Sequence, residues 1–468
     1  MSANRPAAMG HQTTGVKFLR RAERALLADD PGLGKSRQLI EASVGDTLVV
    51  APAGVINGGT WRDEIERWAD DPSRFTVVPF TGLAQRQGSK VLPSLKPEFD
   101  REWGTLVVDE AHYVKGRKTG WTDRVKDLAY QTDRVYLATG TPISNWAYEL
   151  FTLLQIVFPD EARPGKKFGS YWRWVGDWFD VRSGRFSAYE IGGLKACSTE
   201  CQSRPAWDPC EHYAQFMDTN LSDRFLARKR EAVLDLPEAT EQWVQTPMDK
   251  DTRRAYNQLK KEYMADLGEG TELLAWTAGS RQVMLDQLTT SPWVASLASG
   301  EWPEKGSRAA KGGKLDQLRE DLENRPRPTL VVAHYRASVE GAAQVARQVF
   351  GSDRVGMVHG GVAKKDAARV IERFKAGELA VLVGSLETVA EGLTLVAADM
   401  CIFLERSYKP YRNVQAMRRI HRMGQTRPVT IRYYLTPNSI DSKRQELLNS
   451  KNDQQMRMLN ARDFAKLL

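Results

Sequence analysis

The sequence predicts an α/β protein built as two parallel-sheet lobes with an irregular, partly helical insertion between them. Three observations carry that prediction. Short Val/Leu-rich runs alternate with helical patterns from residue 12 to about 160, and again beyond residue 311, as expected for parallel sheets covered by helices. Across 161–310 the alternation gives way to aromatic-rich loops, a cysteine cluster and helical stretches at 251–267 and 273–288. Near the start, a glycine-containing turn ending in Lys35-Ser36 stands between an apolar run and a helix. The expected domains are therefore 1–160, 161–310 and 311–468, with a Gly/Lys-rich linker at 306–313 closing the insertion.

The elements follow in order. Strands are expected at 47–51, 75–79, 105–108 and 134–137 in the first lobe. In the last lobe they are expected at 329–333, 355–358, 379–383, 400–404 and 429–434. Within the insertion, Tyr171-Trp172-Arg173-Trp174 and Trp178-Phe179 interleave aromatics with charge. They read as a small local core, since aromatics bury the most area per residue, with a base-stacking surface as the alternative.

Composition narrows the class. The chain is 41% apolar and 27% charged, as in a globular protein with a core, and its net charge of +8 suits a polyanionic partner. The first residues lack the apolar region of a signal peptide, and no apolar run reaches the roughly 18–20 residues that span a bilayer. Three of the four cysteines crowd into one segment, unlike a secreted disulfide framework. The expectation is an intracellular protein with no membrane partner and no required oligomer: cytoplasmic in a prokaryotic or viral setting, nuclear in a eukaryote.

Chemistry-bearing residues gather at three places. In Asp29-Asp30-Pro31-Gly32-Leu33-Gly34-Lys35-Ser36 the glycines let successive N–H groups turn toward one phosphate, at the positive end of the helix that follows. Lys35 would reach the β/γ-phosphates and the Ser36 hydroxyl would ligate Mg²⁺. Asp29 stands where such loops usually begin with glycine. The apolar strand before Asp109-Glu110-Ala111-His112 delivers two carboxylates at a sheet's C-terminal edge. Asp109 is placed to hold Mg²⁺ and Glu110 to orient the attacking water. In the last lobe, Arg419 and Arg422 are three apart, so on a helix they share a face and suit charge developing on a transferred phosphoryl group. A solvated basic helix or a DNA-backbone patch is the plainer reading of those arginines taken alone.

A fourth cluster, Cys197, Cys201, Cys210 and His212, has the spacing C-x3-C-x8-C-x-H, three thiolates and an imidazole suited to one structural zinc ion. Cysteines without a metal are the alternative, since the tight C-x2-C pairs of common zinc modules are absent.

With these residues in view, the chain resembles the Swi/Snf-like branch of the superfamily-two helicase-related ATPases, over roughly residues 11–160 and 311–450. His11-Gln12 with Gly15-Val16 resembles the adenine-reading glutamine motif, and Asp30 through Ser36 motif I, with Pro31 and Ser36 where the family more often has Met and Thr. Ala51-Pro52 with Trp61 and Glu64 is similar to motif Ia, and Phe80-Thr81-Gly82 to a later strand-end motif. Asp109–His112 with Lys115 resembles the acidic DEAH-type box, and Leu137 through Asn145 with Glu149-Leu150 motif III. Phe225 through Lys229 and Leu236-Pro237 look like the stretch joining the lobes, Val331–Tyr335 like motif IV, and His359-Gly360 like the next strand end. Ser385 through Leu395, including Gly392, looks like motif V, with Thr394 where Asn is usual. Gln415 through Gln425 matches motif VI, and the terminal Gly424-Gln425 points to the Swi/Snf-like branch.

The resemblance implies two RecA-like lobes, ATP and Mg²⁺ as cofactors, and nucleotide contacts by Gln12, Asp30, Gly32, Leu33, Gly34, Lys35, Ser36, Asp109, Gly392, Arg419 and Arg422. It implies that ATP on the first lobe meets Arg419 and Arg422 when the second closes on it. It also implies movement along double-stranded DNA, branched or protein-bound, without strand separation, with Thr81, Thr139, Ser385 and Thr388 as backbone contacts. A strand-separating helicase on DNA or RNA is the nearest alternative. A non-hydrolysing DNA clamp would have no reason to keep Lys35, Asp109, Glu110, Arg419 and Arg422 together.

Overall fold

In strand after strand, alternate residues enter opposite cores, which is what a pleated strand covered on both faces requires. Leu26, Leu48, Val50, Leu106, Val108 and Leu137 lie in one cluster, while Ala25, Leu27, Val49, Ala51, Val107 and Tyr136 lie in another. A second sheet repeats the arrangement, Val331, Val383 and Ile402 on one side, Leu330, Leu382 and Phe403 on the other. The computed structural model describes residues 5–57, 59–87, 90–117, 119–140, 147–183, 189–197, 201, 210–262, 264–266, 272–275, 277–298, 310–325, 327–390 and 394–449. The chain forms two compact units that divide between Leu234 and Asp235.

The first unit holds a six-stranded parallel sheet of β1 (Arg24–Leu27), β2 (Thr47–Ala51), β3 (Phe75–Pro79), β4 (Thr105–Asp109), β5 (Arg134–Ala138) and β6 (Phe225–Leu226), in the order β6-β1-β5-β4-β2-β3. Helices α1 (Gly10–Ala22), α2 (Lys35–Ala42) and α3 (Thr60–Trp68) belong to the same unit. Leu39, Ile40, Trp61 and Ile65 from α2 and α3 cover one face of the sheet. The other face is covered by Phe151 and by the aromatic segment after residue 161. Trp174, Phe179 and Phe216 join that core, Trp174 lying 5.4 Å from Phe151 and 5.5 Å from Phe179 between ring centroids. The buried Trp174 indole donates to Asn220 Oδ1 at 2.7 Å, which satisfies its one polar atom. These aromatics are a core, with Trp172 left exposed.

The second unit holds another six-stranded parallel sheet: β7 (Ala239–Gln245), β8 (Thr329–Ala333), β9 (Val355–Val358), β10 (Val381–Ser385), β11 (Met400–Phe403) and β12 (Val429–Leu435), in the order β7-β12-β11-β8-β10-β9. The helical stretch expected over 251–267 ends at Glu262, and 264–266 pairs antiparallel with 272–274 before a helix over Ala278–Thr290. The apolar residues that suggested longer helices, such as Ala265, are buried from a hairpin instead.

Candidate nucleotide site

β1 delivers the chain into the loop 28–34, and α2 begins at Lys35. Gly32 and Gly34 have φ of +95° and +70°, in the left-handed region that a side chain disfavours. Gly34 is also the N-cap of α2, and a Cβ there would lie 2.3 Å from Gln12 Nε2. Gln12 is held in turn by α1, its Oε1 accepting from Met9 N at 3.1 Å, while His11 Nε2 donates to the Leu33 carbonyl at 3.0 Å. The glutamine expected at the base thus packs on the phosphate loop itself. Lys35 Nζ donates to the carbonyls of Asp29 (2.8 Å) and Asp30 (3.3 Å), folded back over the loop whose phosphates it is expected to meet. Ser36 lies half-buried in the first turn of α2.

Asp29 is fully buried and takes charge-assisted hydrogen bonds on both oxygens from Arg228, Nε lying 2.9 Å from Oδ1. Gln38 Nε2 adds a bond to Oδ2 at 3.2 Å, and Gln38 Oε1 accepts from the same guanidinium at 2.7 Å. Arg228 further donates to the His11 carbonyl. Backbone bonds secure this return: Ala28 N to Leu226 O at 2.6 Å and Asp30 N to Arg228 O at 3.0 Å. The sequence placed Arg228 only within the stretch Phe225 through Lys229 that joins the lobes and gave it no part at the loop, although an acid buried in a glycine's place requires a buried cation. Gly15 is needed for the same reason, since a Cβ there would meet Gln38 and Arg228 at under 3 Å.

At the C-terminal end of β4, Asp109 Oδ2 accepts from the Trp61 indole at 2.9 Å, and Oδ1 from the Glu110 amide at 2.9 Å. Burial and the neighbouring Glu110 push the Asp109 carboxyl up to about 6, against the pull of Trp61 and Lys35. Glu110 adopts φ +48°, a left-handed conformation rare outside glycine and costly enough to suggest a functional constraint. Its Oε2 lies 3.2 Å from His112 Nδ1, which lies 3.3 Å from Thr139 Oγ1 at the end of β5. The Asp109 carboxylate, costly to ionise by itself and close enough to Lys35 to feel its charge, is a hard oxygen donor of the kind that fits Mg²⁺, as is the Ser36 hydroxyl in the first turn of α2.

The arginines of the second unit lie differently from expectation. The helix ahead of them, α4 (Pro410–Met417), ends before Arg419, so Arg419 and Arg422 sit on a turn and not on one helical face. Arg419 donates to the Ala390 carbonyl, and its own carbonyl accepts from Leu395 N at 2.9 Å. Arg422 is half-buried, and that burial lowers its guanidinium below the ordinary value. Buried Gln425 shapes the turn: its Nε2 donates to the carbonyls of Ala398 (2.8 Å), Ile420 (3.1 Å) and Val396 (3.2 Å). Its Oε1 accepts from the amides of Thr426 (3.0 Å) and Arg427 (3.1 Å). His421 Nε2 donates to the Pro237 carbonyl at 2.8 Å.

Of the hydroxyls expected to touch nucleic acid, Thr81 is exposed in a turn after β3. Thr139 is buried with its Oγ1 3.3 Å from His112 Nδ1, so in this conformation it joins the acidic box to the end of β5 instead of facing a ligand backbone. Ser385 Oγ bonds Thr388 Oγ1 at 2.8 Å and accepts from Thr388 N at 3.4 Å, the local capping that such residues commonly make. Gly392 and the 141–146 part of motif III lie outside the described residues. Cys197, which follows the 179–194 hairpin, meets Cys210 and His212 at the start of the helix Glu211–Leu221, their ligand atoms all within 4.8 Å of one another. Cys201 Sγ lies 3.7 Å from His212 Nδ1.

Comparison with known proteins adds to this geometry. The SNF2-related domain family matches residues 11–100 and 90–287, and the helicase conserved C-terminal domain matches 313–424. The chain is 24% identical over 470 residues to the DNA annealing helicase and endonuclease ZRANB3 of Homo sapiens, covering 94% of this chain and 39% of that protein. It is 24% identical over 465 residues to the SWI/SNF-related matrix-associated actin-dependent regulator of chromatin subfamily A-like protein 1 of Xenopus tropicalis, covering 92% and 43%. The chain therefore spans about two fifths of the length of these curated relatives. The Sulfolobus solfataricus SWI2/SNF2 ATPase core in complex with double-stranded DNA aligns over 99% of this chain and 95% of its own, with 18% identity and a TM-score of 0.40. No helix among the described residues is long and apolar enough to cross a membrane.

Proposed function

Because this chain belongs to the SNF2-related family of ATPases, we propose that it hydrolyses ATP in response to double-stranded DNA and uses the hydrolysis to move along the duplex without processively separating its strands. The observation that carries this reading is the end of motif VI. Gln425 uses both ends of its side-chain amide to shape the arginine turn, in a chain that also has a glycine phosphate loop and a strand-end acid pair.

Each residue has an assigned part. Gln12, Asp30, Gly32, Leu33, Gly34 and Lys35 hold the nucleotide, Lys35 exchanging the carbonyls of Asp29 and Asp30 for phosphate oxygens. Ser36 and Asp109 would hold Mg²⁺, which when bound neutralises phosphate charge. Glu110, turned by its left-handed backbone, orients the attacking water, and His112 holds its carboxylate in place. Arg419 and Arg422 would offset charge on the departing phosphoryl group, and the family resemblance assigns Gly392 to the nucleotide contacts as well. Thr81, Ser385 and Thr388 remain the backbone contacts of this reading. Branched or protein-bound duplexes are the proposed substrates, in the cytoplasm of a prokaryote or virus-infected cell, or the nucleus of a eukaryote.

The test is ATP turnover by the full chain with duplex DNA, single-stranded DNA, RNA and no nucleic acid in parallel, beside a strand-release assay. Strong stimulation by duplex with no release of a plain complementary strand supports the proposal. Efficient strand release, or stimulation by RNA alone, assigns the chain to strand-separating helicases.

A further inference from the structure

We propose that Cys197, Cys201, Cys210 and His212 bind one structural zinc ion, independently of the nucleotide reaction. Three of the four donor atoms already lie within 4.8 Å of one another, although they come from opposite ends of a segment of the chain: Cys197 just past a β-hairpin, Cys210 and His212 at a helix start. The Sγ atoms of Cys197 and Cys210 are 3.4 Å apart, too far for a disulfide bond and near the separation of two thiolates sharing one metal. Cys201 supplies the fourth donor, its Sγ 3.7 Å from His212 Nδ1.

The chemistry selects the metal. Three thiolates and an imidazole are a soft-to-borderline set that favours tetrahedral zinc over Mg²⁺ or Ca²⁺, which require oxygen ligands. With four protein donors no position remains for water, so the ion's role is structural. Its place in the fold suits that role. Cys197 and Cys210 are buried at the border of the first unit's core, which also holds Leu194, Tyr213, Phe216 and Met217. The ion would pin the end of the 179–194 hairpin to the start of the helix Glu211–Leu221. The run between Cys201 and Cys210 carries Pro205, Trp207 and Pro209, a composition poor in helix- or strand-forming residues, which favours a metal staple.

The experiment measures zinc in the full chain, purified without a histidine tag, by elemental analysis, and titrates metal-stripped protein with Co²⁺. The expected result is close to one zinc per chain, released by a thiol-specific mercurial. Cobalt should give the intense visible bands of a tetrahedral thiolate site. Cys197→Ser/Cys210→Ser should lose the zinc, whereas Cys401→Ala, changed in the core of the second unit, should keep it. If the double variant fails to fold, the cobalt spectrum of the wild-type chain still decides. Zinc well below one equivalent, with no thiolate–cobalt bands, overturns the proposal, as does a Cys197–Cys210 disulfide in protein purified under reducing conditions.

Discussion

Arg228 grips the carboxylate of Asp29 with two N–H groups across a sequence separation of 199 residues, and Asp29 is wholly buried. Removing one partner of such a pair strands a charge, which costs about 3–5 kcal/mol, whereas removing both costs far less. Arg228→Met is therefore expected to lower the unfolding midpoint of the first unit strongly and to weaken ATP binding. Asp29→Ala/Arg228→Met should recover much of the stability. Urea denaturation of nucleotide-free protein checks this; additive losses in the double variant would show that the pair is not coupled.

Asp109 leads to a prediction of unusual sign. Its carboxyl is raised to about 6, so the native state holds a proton that the unfolded chain has already released. The contribution of this group therefore falls as pH rises from the ordinary carboxylate value through about 6, and stays unfavourable above it. In metal-free protein at pH 8, Asp109→Asn should raise Tm, by roughly 2–4 °C for each kcal/mol relieved, while abolishing turnover. The gain should shrink at pH 5. A Tm below wild type at pH 8 would mean that the Trp61 and Glu110 amide bonds, not burial, decide the energy of this carboxylate.

Glu110→Gln keeps the size and turn of the side chain and removes the charge that orients water. ATP should bind normally and hydrolyse slowly, read as nucleotide affinity beside single-turnover rate. Arg422→Ala should leave the first lobe's own contacts with nucleotide unchanged and cut DNA-stimulated turnover by ~10³ or more, as for other arginine fingers. Wild-type turnover in Arg422→Ala would make this arginine a bystander.

Gln425 is the least replaceable residue of the arginine turn. Gln425→Ala removes the side-chain amide that donates to the Ala398 and Ile420 carbonyls and accepts from the Thr426 and Arg427 amides, and is expected to destabilise the second unit by about 2 kcal/mol. Turnover should fall more than binding. Gln425→Glu faces a carboxylate toward three carbonyl oxygens and should be no better. Thermal unfolding beside steady-state kinetics separates the two effects.

The sequence was most legible where chemistry forces residue identity. Left-handed turns at Gly32 and Gly34, a strand ending in Asp109-Glu110 and doubly buried Val/Leu strands all lie where the pattern placed them. It was least legible where long-range pairing decides. β6 is two residues long and has no periodicity to read, and β7 is mostly exposed and polar, so each is a strand only because a neighbour pairs with it. Arg419 and Arg422 have helical spacing, yet the carbonyl-capping Gln425 and Gly424 at φ +97° favour a turn. Thr139 was expected at a nucleic-acid backbone and is buried, because β5 lies inside the sheet and its Oγ1 meets His112. Arg228 lies in a basic run whose neighbours give no hint of which cation turns inward.

The separation between Asp29 and its clamp also matters while the protein is being made. At about 5–20 residues per second, a ribosome needs roughly 10–40 s to pass from Asp29 to Arg228, and during that time the phosphate loop has emerged with an acid that nothing yet neutralises. The β6 strand that brings the arginine is the last to join its sheet, so the nucleotide loop matures by a late closing step at the sheet's edge. A nascent chain arrested before residue 225 should accordingly remain protease-sensitive at the loop, and one arrested well beyond Arg228 should not.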